Sequence, residues 1–167
     1  MERGLPIIIR NTFHPEHPGT RITAERDAVG PVKGLTLSAD LALLNLEGTG
    51  LIGVPGTAER VFAALRNAHV SVVMISQGSS EHSICCVVRA SEAAKGQAAL
   101  LDAFAHELDT RQIQRVQRRD GVSVLAAVGD GMAGTPGVSA RLFGALGRAQ
   151  VNILAIAPGS SERNISV

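Results

Sequence analysis

At 167 residues the chain has room for one ordinary domain or two small ones. Hydrophobic residues make up 45% of it, without Trp or Tyr and with only 4 Phe, so it buries an aliphatic core and is no disordered tail. A net charge of +1 provides no field to gather nucleic acid or anionic lipid, and no apolar run reaches the ~18 residues of a membrane span. The chain reads as soluble and cytoplasmic, with no signal peptide.

In chain order, residues 5–10 (LPIIIR) form a strand, and residues 11–33, rich in Pro, Gly, His and Thr, a long connector. Residues 41–46 are an apolar run that ends at glycine, the mark of a buried strand. The stretch GTGLIGVPG follows from Gly48 to Gly56, then a helix over 57–68 with Val61 and Leu65 at helical spacing. Pro55 just precedes that helix, where a missing N–H costs little. Strands over 70–76 and 83–88 come next, and a helix over 91–108 with Leu100, Leu101, Phe104 and Leu108 on one face. Residues 113–117 alternate imperfectly and read as an edge strand. The cluster Arg115, Arg118 and Arg119 is short, lacks aromatic stacking partners and is offset by Asp120, a poor nucleic-acid footprint.

From there the pattern starts again. Residues 122–128 are a strand ending at glycine, GDGMAGTPG runs from Gly129 to Gly137, and a helix over 138–149 precedes strands over 151–157 and 165–167. At a constant offset of 81, nearly half of the positions from Gly48 to Ile84 are identical, without a gap. The run GSSE at Gly78 recurs at Gly159. This is a duplication of one supersecondary unit. Each unit is βαββαβ, which predicts an α+β fold of two ferredoxin-like units, antiparallel sheets with helices on one face. The second copy stops after β-α-β-β, so the strand at 5–10 is assigned to complete it, with the first unit inserted in the second. The divisions are 1–34, 35–119 and 120–167.

Both glycine stretches fit G-x-G-x-x-G, the turn that holds a dinucleotide pyrophosphate. That turn needs a parallel strand after its helix, with an acid ~20 residues on. Here VSVVMIS and VNILAIA carry no acid, and the next strand runs back at once. A smaller anion still suits the loop, because glycines let the backbone come close and a helix N-terminus offers unpaired N–H groups. A glycine turn needed only for packing is the equal alternative.

The stretches PIIIRNTFHPEHPGTRI, GTGLIGVPGTAERVFAAL, VSVVMISQGSSEHSI and GVSARLFGALGRAQVNILAIAPGSSERNISV resemble the regulatory region of aspartokinases. The GSSE pairs are most similar to the bifunctional aspartokinase–homoserine dehydrogenases. The resemblance covers nearly the whole chain. It implies tandem ACT domains, one inserted in the other, starting at the end of a kinase domain and stopping before the last helix of the region. It also implies a non-catalytic fragment without cofactor, whose parent phosphorylates aspartate with ATP and Mg. Its partners would be that kinase domain, a second copy in a homodimer and an end-product amino acid, threonine before lysine, that inhibits.

Carried over residue by residue, the effector site takes in Leu51, Ile52, Gly53, Val54, Pro55, Gly56 and Thr57, facing Ile75, Ser76 and Gln77. Backbone N–H groups near Gly56 would hold the carboxylate, and the Gln77 amide, both donor and acceptor, would meet an amino group or hydroxyl. The second site, Gly134, Thr135, Pro136, Gly137, Ile156 and Pro158, departs from the pattern. Pro158 stands where the first copy has Gln77 and offers neither a side-chain polar group nor an N–H. Asp130, in place of Thr49, adds negative charge. This second site is expected to be weak or empty.

Other classes find less support. His14, His17, His69, His82 and His106 share no motif, and His14 with His17 lacks a third metal ligand. Ser79 and Ser80 lie too close in sequence to His82 for a triad, so no catalytic residue is assigned. Adjacent Cys85 and Cys86 point to opposite faces of a strand and cannot readily bridge. An assembly module without ligand response shares the expected fold and is the alternative.

Overall fold

The computed structural model describes residues 7–22, 30–78 and 82–167. Residues 1–30 and 31–167 form two compact units. In the first, β1 (Ile7–Ile9) pairs antiparallel with β2 (Thr20–Ile22), Ile8 opposite Arg21. The predicted connector thus contains a strand, and Ile7–Ile9 has its partner a few residues on. Closing a short loop costs less entropy than reaching a distant sheet edge. Leu5 and Pro6 lie outside the described residues.

The second unit carries β3 (Gly34–Glu47), α1 (Thr57–Asn67), β4 (Val72–Gln77), β5 (Ser83–Arg89), α2 (Ala90–Ala103) and α3 (Ala105–Asp109). It continues with β6 (Arg115–Val128), α4 (Val138–Arg148), β7 (Ala157–Pro158) and β8 (Asn164–Ser166). Among its described residues one sheet has the order β4-β5-β3-β6-β8-β7. Both copies of the repeat are built on the β3–β6 ribbon. Its one half pairs Leu41–Glu47 with residues 115–122, and its other pairs Gly34–Ser38 with residues 124–128. Register slips between these halves, at Ser38/Leu41 and Leu41/Ala42, where Asp40 and Gly121 take left-handed φ values of 56° and 68°. A bulge of this kind bends the ribbon.

Two expectations are corrected here. The strand that completes the second copy is Gly34–Ser38, placed by sequence in the first domain, and not residues 5–10. The short strands expected at 113–117 and 122–128 are one, because Arg118–Asp120 stay paired with β3 and Gly121 is absorbed as a bulge instead of a turn. The first copy still lies in the chain between the two outer pieces of the second, so one ferredoxin-like unit is inserted in the other. The segment 151–157, expected as a strand, pairs with β8 only at Ala157 and Pro158.

β3 shows why 41–46 lacks alternation. Ala42, Leu44 and Leu46 face one cluster with Val61, Leu65, Ile84, Leu100 and Phe104, while Leu41 and Leu43 face another with Met74 and Val87. Both faces are covered, so both are apolar. Cys86 lies in the first cluster and Cys85 packs on the second, and burial pushes the Cys86 thiol up to about 12, leaving it protonated and unreactive. The helix expected over 91–108 divides at Phe104, which is 1% exposed. Arg60 of α1 lies 4.4 Å over the Phe104 ring, donates to the Ala103 carbonyl at 2.7 Å and pairs with Glu107 at 2.5 Å. Its hydrogen bond holds the Glu107 carboxyl below the usual range. The stabilisation is therefore full above the ordinary glutamate pKa and is lost as pH falls through the lowered value.

Candidate functional site

The first glycine stretch is shaped by two different demands. Gly48 is extended, but a Cβ there would stand 2.6 Å from the Gln112 carbonyl oxygen and the Ile113 Cα. Gly53 and Gly56 would point an added Cβ into open space, and their φ of 65° and 86° lie in the left-handed region. Between Gly48 and Gly53 the chain makes a single turn at Thr49–Leu51, which buries Leu51. Gly56 is the N-cap of α1 and carries no side chain to cap it, while the Thr57 hydroxyl donates to the Val54 carbonyl at 3.1 Å.

This loop and the end of β4 enclose a cavity of about 310 Å³ lined by Leu51, Gly53, Val54, Pro55, Gly56, Thr57, Ala58, Gln77 and Ile84. Seven of the ten residues assigned from sequence thus converge. Ile52 and Ile75 do not line it and are each 47% exposed. Ser76 turns the other way and donates to the Ile156 carbonyl at 2.9 Å. Sequence reasoning missed Ala58 and Ile84. Ile84 stands directly opposite Gln77 in the β4–β5 register, a pairing that the hairpin of the two strands implies.

The second copy has a cavity of about 410 Å³, whose lining includes Gly134, Thr135, Pro136, Pro158, Glu162 and Asn164. Gly137 and Ile156 do not line it, although Gly137 repeats the left-handed cap of Gly56 with φ 87°. Glu162, not singled out from sequence, accepts a hydrogen bond from the Gly134 N–H at 2.9 Å. This loop therefore already holds a carboxylate, the chain's own. The Asp130 charge is met by Arg163 Nε at 3.3 Å. Within GSSE, Glu162 donates its N–H to the Gly159 carbonyl at 2.9 Å and takes φ 57°, which makes the run the turn between β7 and β8. Ser79, Ser80 and Glu81 of the first copy lie outside the described residues.

Glu162→Ala removes the tie between that turn and the glycine loop. The expected cost is about 1 kcal/mol, a fall of a few degrees in melting temperature, with Glu162→Gln costing less because an acceptor remains. Thermal unfolding checks this, and an unchanged midpoint in Glu162→Ala would refute it.

Elsewhere the titratable groups serve the fold. Arg115 pairs with Glu47 and Arg118 with Asp120, each at 2.9 Å. His14 Nδ1 lies 3.3 Å from Glu16 and His17 Nδ1 accepts the Gly19 N–H at 3.1 Å. Among the described residues no group of three or more His, Cys, Asp or Glu is placed to hold a metal ion, and no helix is long and apolar enough to cross a membrane.

The ACT domain family model matches residues 44–104 and 125–167. The chain belongs to the ACT domain family. The regulatory subunit of aspartate kinase from Thermus flavus is 31% identical, with a TM-score of 0.67 over 83% of this chain and 88% of that one. Aspartate kinase from Clostridium acetobutylicum is 26% identical and superposes with a TM-score of 0.83 over 99% of this chain and 38% of that one. The chloroplastic bifunctional aspartokinase/homoserine dehydrogenase 2 of Zea mays is 46% identical over 172 residues, 100% of this chain and 19% of that protein. Within its family, then, this chain is an aspartokinase regulatory region, and it spans about a fifth of the length of that curated relative.

Proposed function

We propose that this region is the effector sensor of an aspartate kinase and binds one small end-product amino acid, threonine before lysine, at the first glycine loop. One observation carries the reading. Gln77, at the end of β4, faces across an open cavity the start of α1, which no side chain caps. A carboxylate suits the helix start, and a neutral amide suits a hydroxyl or amino group. The ammonium of lysine would call for a carboxylate at the strand end, where Val73 and Gln77 offer none. In the second copy Pro158 replaces the amide and Glu162 occupies a loop N–H, so binding there is weak.

For the whole protein the proposal is feedback inhibition of aspartate phosphorylation by ATP with Mg, in a chain fused to homoserine dehydrogenase. That protein would be a cytoplasmic homodimer, paired through its ACT units and attached to its kinase domain. The Clostridium relative is itself described as an allosteric enzyme, which supports the regulatory reading. A second reading, an assembly module without ligand response, draws on the apolar side chains that β4 presents to solvent, Val73 and Ile75, 48% and 47% exposed.

Calorimetry tests the first reading. One threonine per chain is expected, weakened five- to a hundredfold by Gln77→Ala through the loss of one hydrogen bond to the charged ligand, about 1–3 kcal/mol. Pro158→Ala leaves the affinity nearly unchanged. Two threonines per chain, or lysine binding the tighter, would overturn the assignment. No amino acid binding to a dimer would favour the assembly module.

A further inference from the structure

β4 and β7 stand at opposite ends of the strand order, with β5, β3, β6 and β8 between them. Yet the Ser76 hydroxyl of β4 donates to the carbonyl of Ile156, the residue before β7, at 2.9 Å. Met74, two residues before Ser76, belongs to the cluster of Leu41, Leu43 and Val87 on which Ala155 and Ala157 pack. The sheet curls until its two ends meet, and the register slips at Asp40 and Gly121 are where the ribbon bends. The seam is held by an apolar cluster and one directional bond. In the repeat Ser76 corresponds to Ala157, which has no hydroxyl, so the bond has no symmetry mate.

The position of this bond matters more than its strength. Ser76 precedes Gln77, a wall residue of the first cavity, and Ile156 lies two residues before Pro158, a wall residue of the second. The adjoining part of β4 is rigid, paired to β5 from Met74 to Gln77. The segment before Ala157 has left the β8 ladder, so its position depends on what the seam supplies. We infer that Ser76 is a positioning residue that couples the two glycine-loop pockets. A change in the strand end at Gln77 shifts Ser76 and, through its hydroxyl, the strand end at Pro158. The bond is a contact shared by the walls of both pockets, and a shift can pass through it. The inference rests on the effector reading for what moves Gln77, but not for the seam itself.

Hydrogen exchange followed by mass spectrometry, on the whole chain with Ser76→Ala and Ser76→Thr, tests it. Without ligand, Ser76→Ala is expected to speed exchange in 151–158 about fivefold, the effect of one hydrogen bond, while α1 and α2 exchange as before. Ser76→Thr keeps a hydroxyl and restores the slow rate. With saturating threonine, protection in the wild type reaches from the first glycine loop to 151–158, and in Ser76→Ala it stays at the loop. Exchange in 151–158 that is unchanged by Ser76→Ala overturns the inference, as does protection that crosses the seam equally in the variant. Threonine that protects nothing in the wild type sinks the effector reading instead, and the ligand-free comparison still decides the seam.

Discussion

Phe104→Ala is expected to cost about 3–5 kcal/mol of stability, comparable to much of the 5–15 kcal/mol that holds an ordinary domain together. Phe104 is 1% exposed and sits where α2 gives way to α3, packed with Leu44, Leu65, Leu100 and Ile113. Few other aromatic rings are present to share its volume, so truncation leaves a cavity that aliphatic neighbours cannot fill. The ring also carries the Arg60 guanidinium, 4.4 Å from its centroid, which aims Arg60 at Glu107 and the Ala103 carbonyl. Phe104→Leu keeps most of the volume and loses the ring face, so about 1–1.5 kcal/mol is expected there. Denaturant unfolding measures both. A cost for Phe104→Ala below about 2 kcal/mol would mean that the site collapses around the loss.

Gly48→Ala is expected to cost about 3 kcal/mol, more than Gly53→Ala at about 1–2 kcal/mol, although Gly53 has the unusual dihedral and Gly48 does not. The added Cβ at Gly48 meets main chain at 2.6 Å, the Gln112 oxygen and Ile113 Cα, and main chain cannot swing aside as a flexible side chain does. Moving that segment strains two bonds that tie it to the loop, Gly50 N–H to the Gln112 carbonyl and Gln114 N–H to the Glu47 carbonyl, both 2.8 Å. An added Cβ at Gly53 meets nothing within 4 Å, and the cost is only that of a left-handed residue with a Cβ. Unfolding free energies of the two variants, compared in one buffer, decide this, and the reverse order would refute it. Gly129 repeats the arrangement, its Cβ position lying against the Pro31 carbonyl oxygen. Part of the G-x-G-x-x-G pattern is therefore required by the fold, whatever the loop binds.

The duplication, the α+β class and the helices Thr57–Asn67 and Val138–Arg148 were legible in the sequence, because helical spacing, glycine caps and repeat identity are all short-range signals. So was most of the first cavity, since its loop residues are consecutive and only Gln77 had to come from elsewhere. What only the tertiary structure decided was partnership. Nothing local in LPIIIR or GLTLS says which one lies beside residues 124–128, and the strands expected at 113–117 and 122–128 stay separate until β3 is found paired across the residues between them. Ser76 enters the effector site through the resemblance, whereas the curl of the sheet directs its hydroxyl to a carbonyl 80 residues away. The Glu162 carboxylate likewise reaches Gly134 only through the turn after β7. Strand pairing and the ends of a curled sheet are set by contacts far apart in sequence. Periodicity records which face of an element is buried, but not against what.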